Sequence, residues 1–112
     1  MSIASIILEQ LGGNKFIAMT GASHFVSDGN TLRMQIPRNK SKANRLYITL
    51  DGDDTYTMRF FYYRAPGTRI DYKRMKIHDI KEINEDVFKI SGIYFDQLQD
   101  IFTEQTGMYT HL

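Results

Sequence analysis

Cysteine is missing from all 112 positions. Its absence excludes a disulfide framework, a thiolate metal site and a cysteine nucleophile, and it fits a reducing compartment such as the cytoplasm. Long apolar runs are missing too. No stretch approaches the 18 or so residues of a membrane-crossing helix. Near the start, Ile6-Ile7-Leu8 is too short for a signal-peptide core and follows no basic segment, so a soluble protein with no membrane partner is expected. Low-complexity and disorder-type tracts are absent as well: 42% of the residues are hydrophobic and 24% charged, close to ordinary globular usage.

Catalytic patterns are equally scarce. His24, His78 and His111 stand alone, without His-x-Glu or His-x-x-x-His spacing for zinc. No serine sits in a Gly-x-Ser-x-Gly elbow, and Gly12-Gly13 follows a helical stretch where a phosphate loop would precede one. In Asp51-Gly52-Asp53-Asp54 the glycine comes second, whereas a calcium loop needs it sixth with a glutamate at the twelfth place, so the segment reads as a hairpin turn. Asp71-Tyr72-Lys73, with Asp54 and Glu9, can be assembled into a metal-dependent nuclease set only as a remote alternative; surface charge is the plainer role for these residues. No enzyme, no metal and no cofactor is the expectation.

What is present is one domain's worth of chain, 1–112. At this size folding buries roughly two-thirds of the unfolded surface, so a core needs no staples. After the N-cap candidate Ser2, the spacing of Ile3, Ile6, Ile7 and Leu11 predicts a helix over Ser2–Leu11, ended by Gly12-Gly13-Asn14. Lys15–Met19 and Ser23–Val26 read as short strands, and Leu32, Met34 and Ile36 alternate with Arg33 and Gln35 as a strand with one wet face. Pro37 ends it, and 38–45 is a basic loop. Leu46–Leu50 and Tyr56–Tyr63 form a hairpin, Ala65-Pro66-Gly67 a turn, and Ile70–Ile77 a further strand. The pattern over 79–90 is mixed, although Val87–Ile90 looks like strand. Tyr94, Leu98, Ile101 and Phe102 predict a terminal helix ending at Gly107. The expected fold class is α+β: an antiparallel meander of about five strands, with an N-terminal and a C-terminal helix packed on one sheet face.

Two blocks carry a resemblance. Leu11-Gly12-Gly13-Asn14-Lys15-Phe16 with Met19-Thr20-Gly21-Ala22, and Tyr94-Phe95-Asp96-Gln97-Leu98 with Ile101-Phe102-Thr103-Glu104-Gln105-Thr106-Gly107, resemble an uncharacterised family of short bacteriophage and prophage proteins. The resemblance implies a genetic context, and with it the cytoplasm of a bacterial host, but no activity and no functional residue. Both blocks are equally a glycine-capped helix and an amphipathic helix, where backbone geometry restricts residue choice.

The net charge of +1 conceals a division. Residues 33–76 hold eleven Lys or Arg against four Asp, a net of +7, and residues 77–112 hold two Lys against seven acids, a net of −5. On the expected sheet, Arg33, Tyr47, Arg59, Phe61 and Tyr63 oppose the core-facing residues and share an open face, flanked by Arg38, Lys40, Lys42 and Arg45 of the loop. Rings among cations suit single-stranded nucleic acid, because rings stack on bases while Lys and Arg neutralise phosphates. Neither an RNA-recognition motif nor a helix-turn-helix signature accompanies them. The expectation is therefore a non-enzymatic binding protein, contacting nucleic acid through Arg33, Arg38, Lys40, Lys42, Arg45, Arg59, Phe61 and Tyr63. The alternative is a factor that engages a host or phage protein, or a second copy as a homo-oligomer, through exposed aromatics such as Phe61, Tyr62, Tyr63 and Tyr109.

Overall fold

The computed structural model describes residues 2–110. Helix α1 (Ile3–Leu11) begins where Ser2 caps it, its hydroxyl accepting from the Ser5 N–H, and it buries Ala4, Ile7 and Leu11. Gly12 ends it at φ 123° with its N–H on the Glu9 and Leu8 carbonyls, and its built Cβ would meet Phe16 at 3.3 Å. Only glycine fits there. The chain turns directly into α2 (Asn14–Thr20), so Lys15–Met19 is helix and not the expected strand. Phe16 and Thr20, four apart, are the buried pair, and the Thr20 hydroxyl donates to the Phe16 carbonyl at 2.7 Å. A spacing of four, not two, was the signal in that segment.

The main sheet is antiparallel throughout and runs β1 (Ser23–Asp28), β2 (Thr31–Gln35), β3 (Arg45–Leu50), β4 (Tyr56–Arg64), then β7 (Ile83–Ile93). Leu32, Met34, Leu46, Ile48, Met58 and Phe60 alternate onto one face and are essentially sealed from solvent. Ile7, Leu11 and Phe16 of the first two helices and Leu98 and Phe102 of α3 (Leu98–Thr106) lie against them in one core, so the helices cover one sheet face as expected. Phe102 meets Phe16 edge-on at 5.0 Å between ring centres and Phe60 at 6.4 Å. The last helix starts later than the sequence pattern suggests. Tyr94 is exposed and caps a single 3₁₀ turn, Phe95–Gln97, instead of joining the buried face of Leu98 and Phe102.

Both edges of the sheet are irregular. On β1 the register shifts between Ser23 and Val26, where His24 is left-handed at φ 56°; on β7 it shifts opposite Tyr56/Met58 and Phe60/Phe61, leaving extra residues near Gly92 and at Val87. Bulges on edge strands blunt their capacity to pair with another chain.

The span expected as one strand over Ile70–Ile77 is a hairpin. Strands β5 (Gly67–Asp71) and β6 (Lys76–Ile80) pair with each other as a separate two-stranded ladder, joined by Tyr72–Met75. The Asp71 carboxylate accepts from the Lys73 and Arg74 N–H groups, and Met75 is left-handed at φ 53°; together they reverse the chain where no glycine announced a turn. Ala65-Pro66, expected to turn the chain, only interrupts it. Arg64 faces Ile83 and Gly67 faces Ile80, so the β4–β7 register runs on unbroken into β5–β6. The result is one long hairpin whose distal half projects as an arm. The molecule measures 54 × 32 × 24 Å with a radius of gyration of 16.4 Å, against about 13 Å for a compact chain of this length.

The three-ring contact makes the core sensitive at one position. Phe102→Ala is expected to lower stability by about 3–5 kcal/mol, read as a shift in the urea midpoint, whereas Tyr72→Ala on the arm leaves that midpoint in place.

Candidate functional site

The face of the sheet away from the helices is uncovered, and its register sorts the outward side chains into rows. Arg33 lies opposite Tyr47, Tyr47 opposite Arg59, and Arg59 opposite Lys89, a line across four strands. One step along, Thr31 bonds Thr49 at 2.9 Å and Thr57 bonds Ser91 at 3.0 Å, hydroxyl to hydroxyl. On the other side of the line stand Gln35, Arg45, Phe61 and Asp86. A shallow hollow opens where the rows meet, lined by Tyr47, Thr49, Thr57, Arg59, Lys89 and Ser91, with Asp51 at its end accepting from the Thr57 hydroxyl at 2.7 Å.

Three arginines of this face each lie over a ring. The guanidinium carbons of Arg33, Arg45 and Arg59 stand 5.0, 5.5 and 4.0 Å from the ring centres of Tyr47, Tyr63 and Phe61. Such stacks contribute about 0.5–1 kcal/mol each at exposed sites. Tyr47 and Phe61 also meet edge-on at 4.8 Å. Phe61 is consequently 2% exposed although it belongs to the open face. The sequence reading treated it as an accessible ring; instead Arg59 and Tyr47 roof it, and the outermost layer is guanidinium.

Two of these arginines are paired. Arg59 donates to the Asp86 carboxylate at 2.5 Å and to the Asn84 side chain at 2.7 Å, and Arg33 pairs with Asp28. These are the only two ion pairs among the described residues, so Arg45 and Lys89 carry no carboxylate partner there. Tyr63 is half-buried beneath Arg45, and a hydrogen bond to the Glu82 carboxylate holds its phenol above the usual tyrosine range.

The eight residues expected to form the site divide into two groups. Arg33, Arg45, Arg59, Phe61 and Tyr63 share the open face, with Arg45 in strand β3 and not in the loop. Arg38, Lys40 and Lys42 belong to the β2–β3 loop, which leans to the other side. Arg38 and Lys42 surround Tyr62, whose position on β4 alternates with the outward Phe61 and Tyr63. The Lys40 N–H donates to the Thr106 carbonyl at 3.3 Å, and its side chain lies over Gly107 at the C-terminal end of α3, where a cation complements the helix dipole. The loop is held by Asn39, which caps its interior, and by Asn44, whose amide exchanges 2.8 Å bonds with the Tyr63 C=O and N–H. Lys89 and Ser91 were missed. Their signal was Lys89 between the apolar Phe88 and Ile90, in a stretch read as strand whose pairing beside β4 the sequence did not place.

No group of three or more His, Asp or Glu side chains able to hold a metal occurs among the described residues. Asp71 and Lys73 stand on the arm's turn, with the Asp71 carboxylate occupied by backbone N–H groups. His24 bonds the neighbouring Ser23 hydroxyl, His78 lies opposite Arg69 on the arm, and His111 lies outside the described residues.

The Tyr63–Glu82 bond sets a titration. Subtracting the ultraviolet titration of Tyr63→Phe from that of the intact protein should isolate one phenol ionising above the ordinary tyrosine range, and Glu82→Gln should bring it down towards that range. A difference titration unmoved by Glu82→Gln means that the carboxylate does not hold the phenol.

Comparisons with protein-family models, with curated proteins and with solved structures return no match, so the reading of this face rests on its own residues.

Proposed function

We propose that the protein works by binding rather than catalysis, and that the open sheet face contacts a single-stranded nucleic acid. The observation that carries this reading is the line Arg33–Tyr47–Arg59–Lys89 across an uncovered sheet. Four strands at about 4.8 Å spacing make such a line roughly 15 Å long, the reach of two or three nucleotides. Phosphates fit the hollow between Arg59 and Lys89, where the Thr49 hydroxyl adds a neutral donor and the Thr57 hydroxyl is turned to Asp51. Because the rings lie beneath guanidinium groups, bases stack on arginine planes and on the open part of Tyr47 and not on Phe61.

The ion pairs of Arg33 and Arg59 do not oppose this. Exposed pairs of this kind contribute about 0–1 kcal/mol, so a phosphate replaces Asp28 or Asp86 at little cost. The phage-type context belongs to the same proposal, as does work in the cytoplasm of a bacterial host.

With the three cations of that line engaged on a single strand, the logarithm of the affinity should fall against the logarithm of salt with a slope of about −2. Fluorescence anisotropy with a labelled mixed-sequence single strand reads this directly. Arg59→Ala with Lys89→Ala should reduce the magnitude of the slope by about 1.4 and weaken binding uniformly across sequences. An affinity indifferent to salt, or no complex at low salt, removes the reading.

A further inference from the structure

We propose that the β5–β6 arm is a second and separate nucleic-acid contact, a two-stranded ribbon that lies in a groove of a duplex. Each arm strand makes its only extensive contact with the other; no helix or main-sheet strand packs extensively against it. A two-stranded hairpin standing alone is marginal in water, so a projecting one calls for an occupant that covers it. The side chains it holds out describe that occupant. Ile70 and Ile77 face each other across the ladder at 50% and 71% exposure, and Tyr72 and Met75 flank the turn at 79% and 85%.

Charge selects a polyanion. Arg69, Lys73, Arg74 and Lys76 stand against Asp71 and Asp79, and none of these six forms an ion pair among the described residues. Asp71 is further withdrawn, since its carboxylate receives the N–H groups of the turn, which leaves Lys73 and Arg74 foremost at the tip. Shape selects a duplex. The arm carries a single exposed phenol ring, Tyr72 at its turn, and no row of rings for successive bases of a single strand, whereas a two-stranded ribbon fits a major groove about 12 Å wide. In that pose the ribbon face that the ladder register gives Arg69, His78 and Lys76, with Asp71 turned to the backbone of the turn, reaches a phosphate wall, and Tyr72 and Met75 lead into the base edges.

This inference stands independently of the open-face reading, and one set of measurements separates them. The intact protein is titrated by anisotropy against a labelled DNA duplex and against its single strand, alongside Lys73→Ala/Arg74→Ala/Lys76→Ala and alongside Arg59→Ala/Lys89→Ala. The turn variant touches no core residue and should keep the wild-type urea midpoint. It should weaken duplex binding at least tenfold, lower the salt slope by about 2–3, and leave single-strand affinity unchanged. Duplex binding that survives while single-strand binding is absent refutes the open-face proposal and supports the arm. Absence of duplex binding at low salt, or equal duplex affinity in the turn variant, overturns the arm proposal. So does sedimentation showing, without nucleic acid, a dimer that Ile70→Ser/Ile77→Ser dissolves, because the arm would then bind a second copy of this chain.

Discussion

The pairing of β4 with β7 organises the molecule. Strand β4 serves both environments: Tyr56, Met58 and Phe60 enter the core, while Thr57, Arg59 and Phe61 face outward. β7 closes the sheet beside it and supplies Lys89, Ser91 and Asp86 to the same outward face. Because the shared register continues past Ala65-Pro66, the pairing that completes the sheet also launches the arm. Core, open face and arm are consequences of one ladder. Its two bulges, both on β7, let a long edge strand follow the sheet's twist and keep it a poor template for another chain.

The open face is stable without a partner and still available to one. Stacking each arginine on a ring buries the ring's apolar area at the cost of little side-chain freedom, and an arginine so placed keeps its in-plane N–H donors directed outward. Arg59 illustrates the balance. It lies 4.0 Å above Phe61, bonds Asp86, and remains at the mouth of the hollow. A solvated sheet face needs cations spread singly among neutral residues; here they are aligned by register, and alignment is what a linear polyanion exploits.

How much of this was legible in the sequence depended on whether local pattern and tertiary context agreed. Strands Leu32–Ile36, Leu46–Leu50 and Tyr56–Tyr63 were readable because each buries alternate residues under helices, and period two survives that burial intact. α2 was not, because Lys15–Met19 is too short for periodicity to decide and its helical state comes from Phe16 and Thr20 seating in the core. The arm was hidden for the opposite reason: both its faces are wet, so no alternation marked the strands, and its turn uses Asp71 and a left-handed Met75 where a glycine would have been a signal. Bulges shift a face by one residue without a mark in composition, which is why Asp86 and Lys89 could not be placed. Burial of Phe61 was likewise invisible, since a ring can be covered from the solvent side only by neighbours that register brings over it.

The division of charge along the chain now has a spatial meaning. A net charge of +1 argues against a dedicated polyanion binder only if opposite charges lie close enough to cancel. From Arg64 to Tyr72 the arm advances about 26 Å at 3.3 Å per residue, whereas at physiological salt charges are screened beyond about 8 Å. The acids of α3 therefore contribute almost nothing to the potential at Lys73 and Arg74. On the open face the acids are near: Asp28 and Asp86 are each engaged by one arginine, while Asp51 at the end of the hollow and Glu82 at Tyr63 stand close to Lys89 and Arg45. Segregation, not net charge, is the quantity that a binding partner meets.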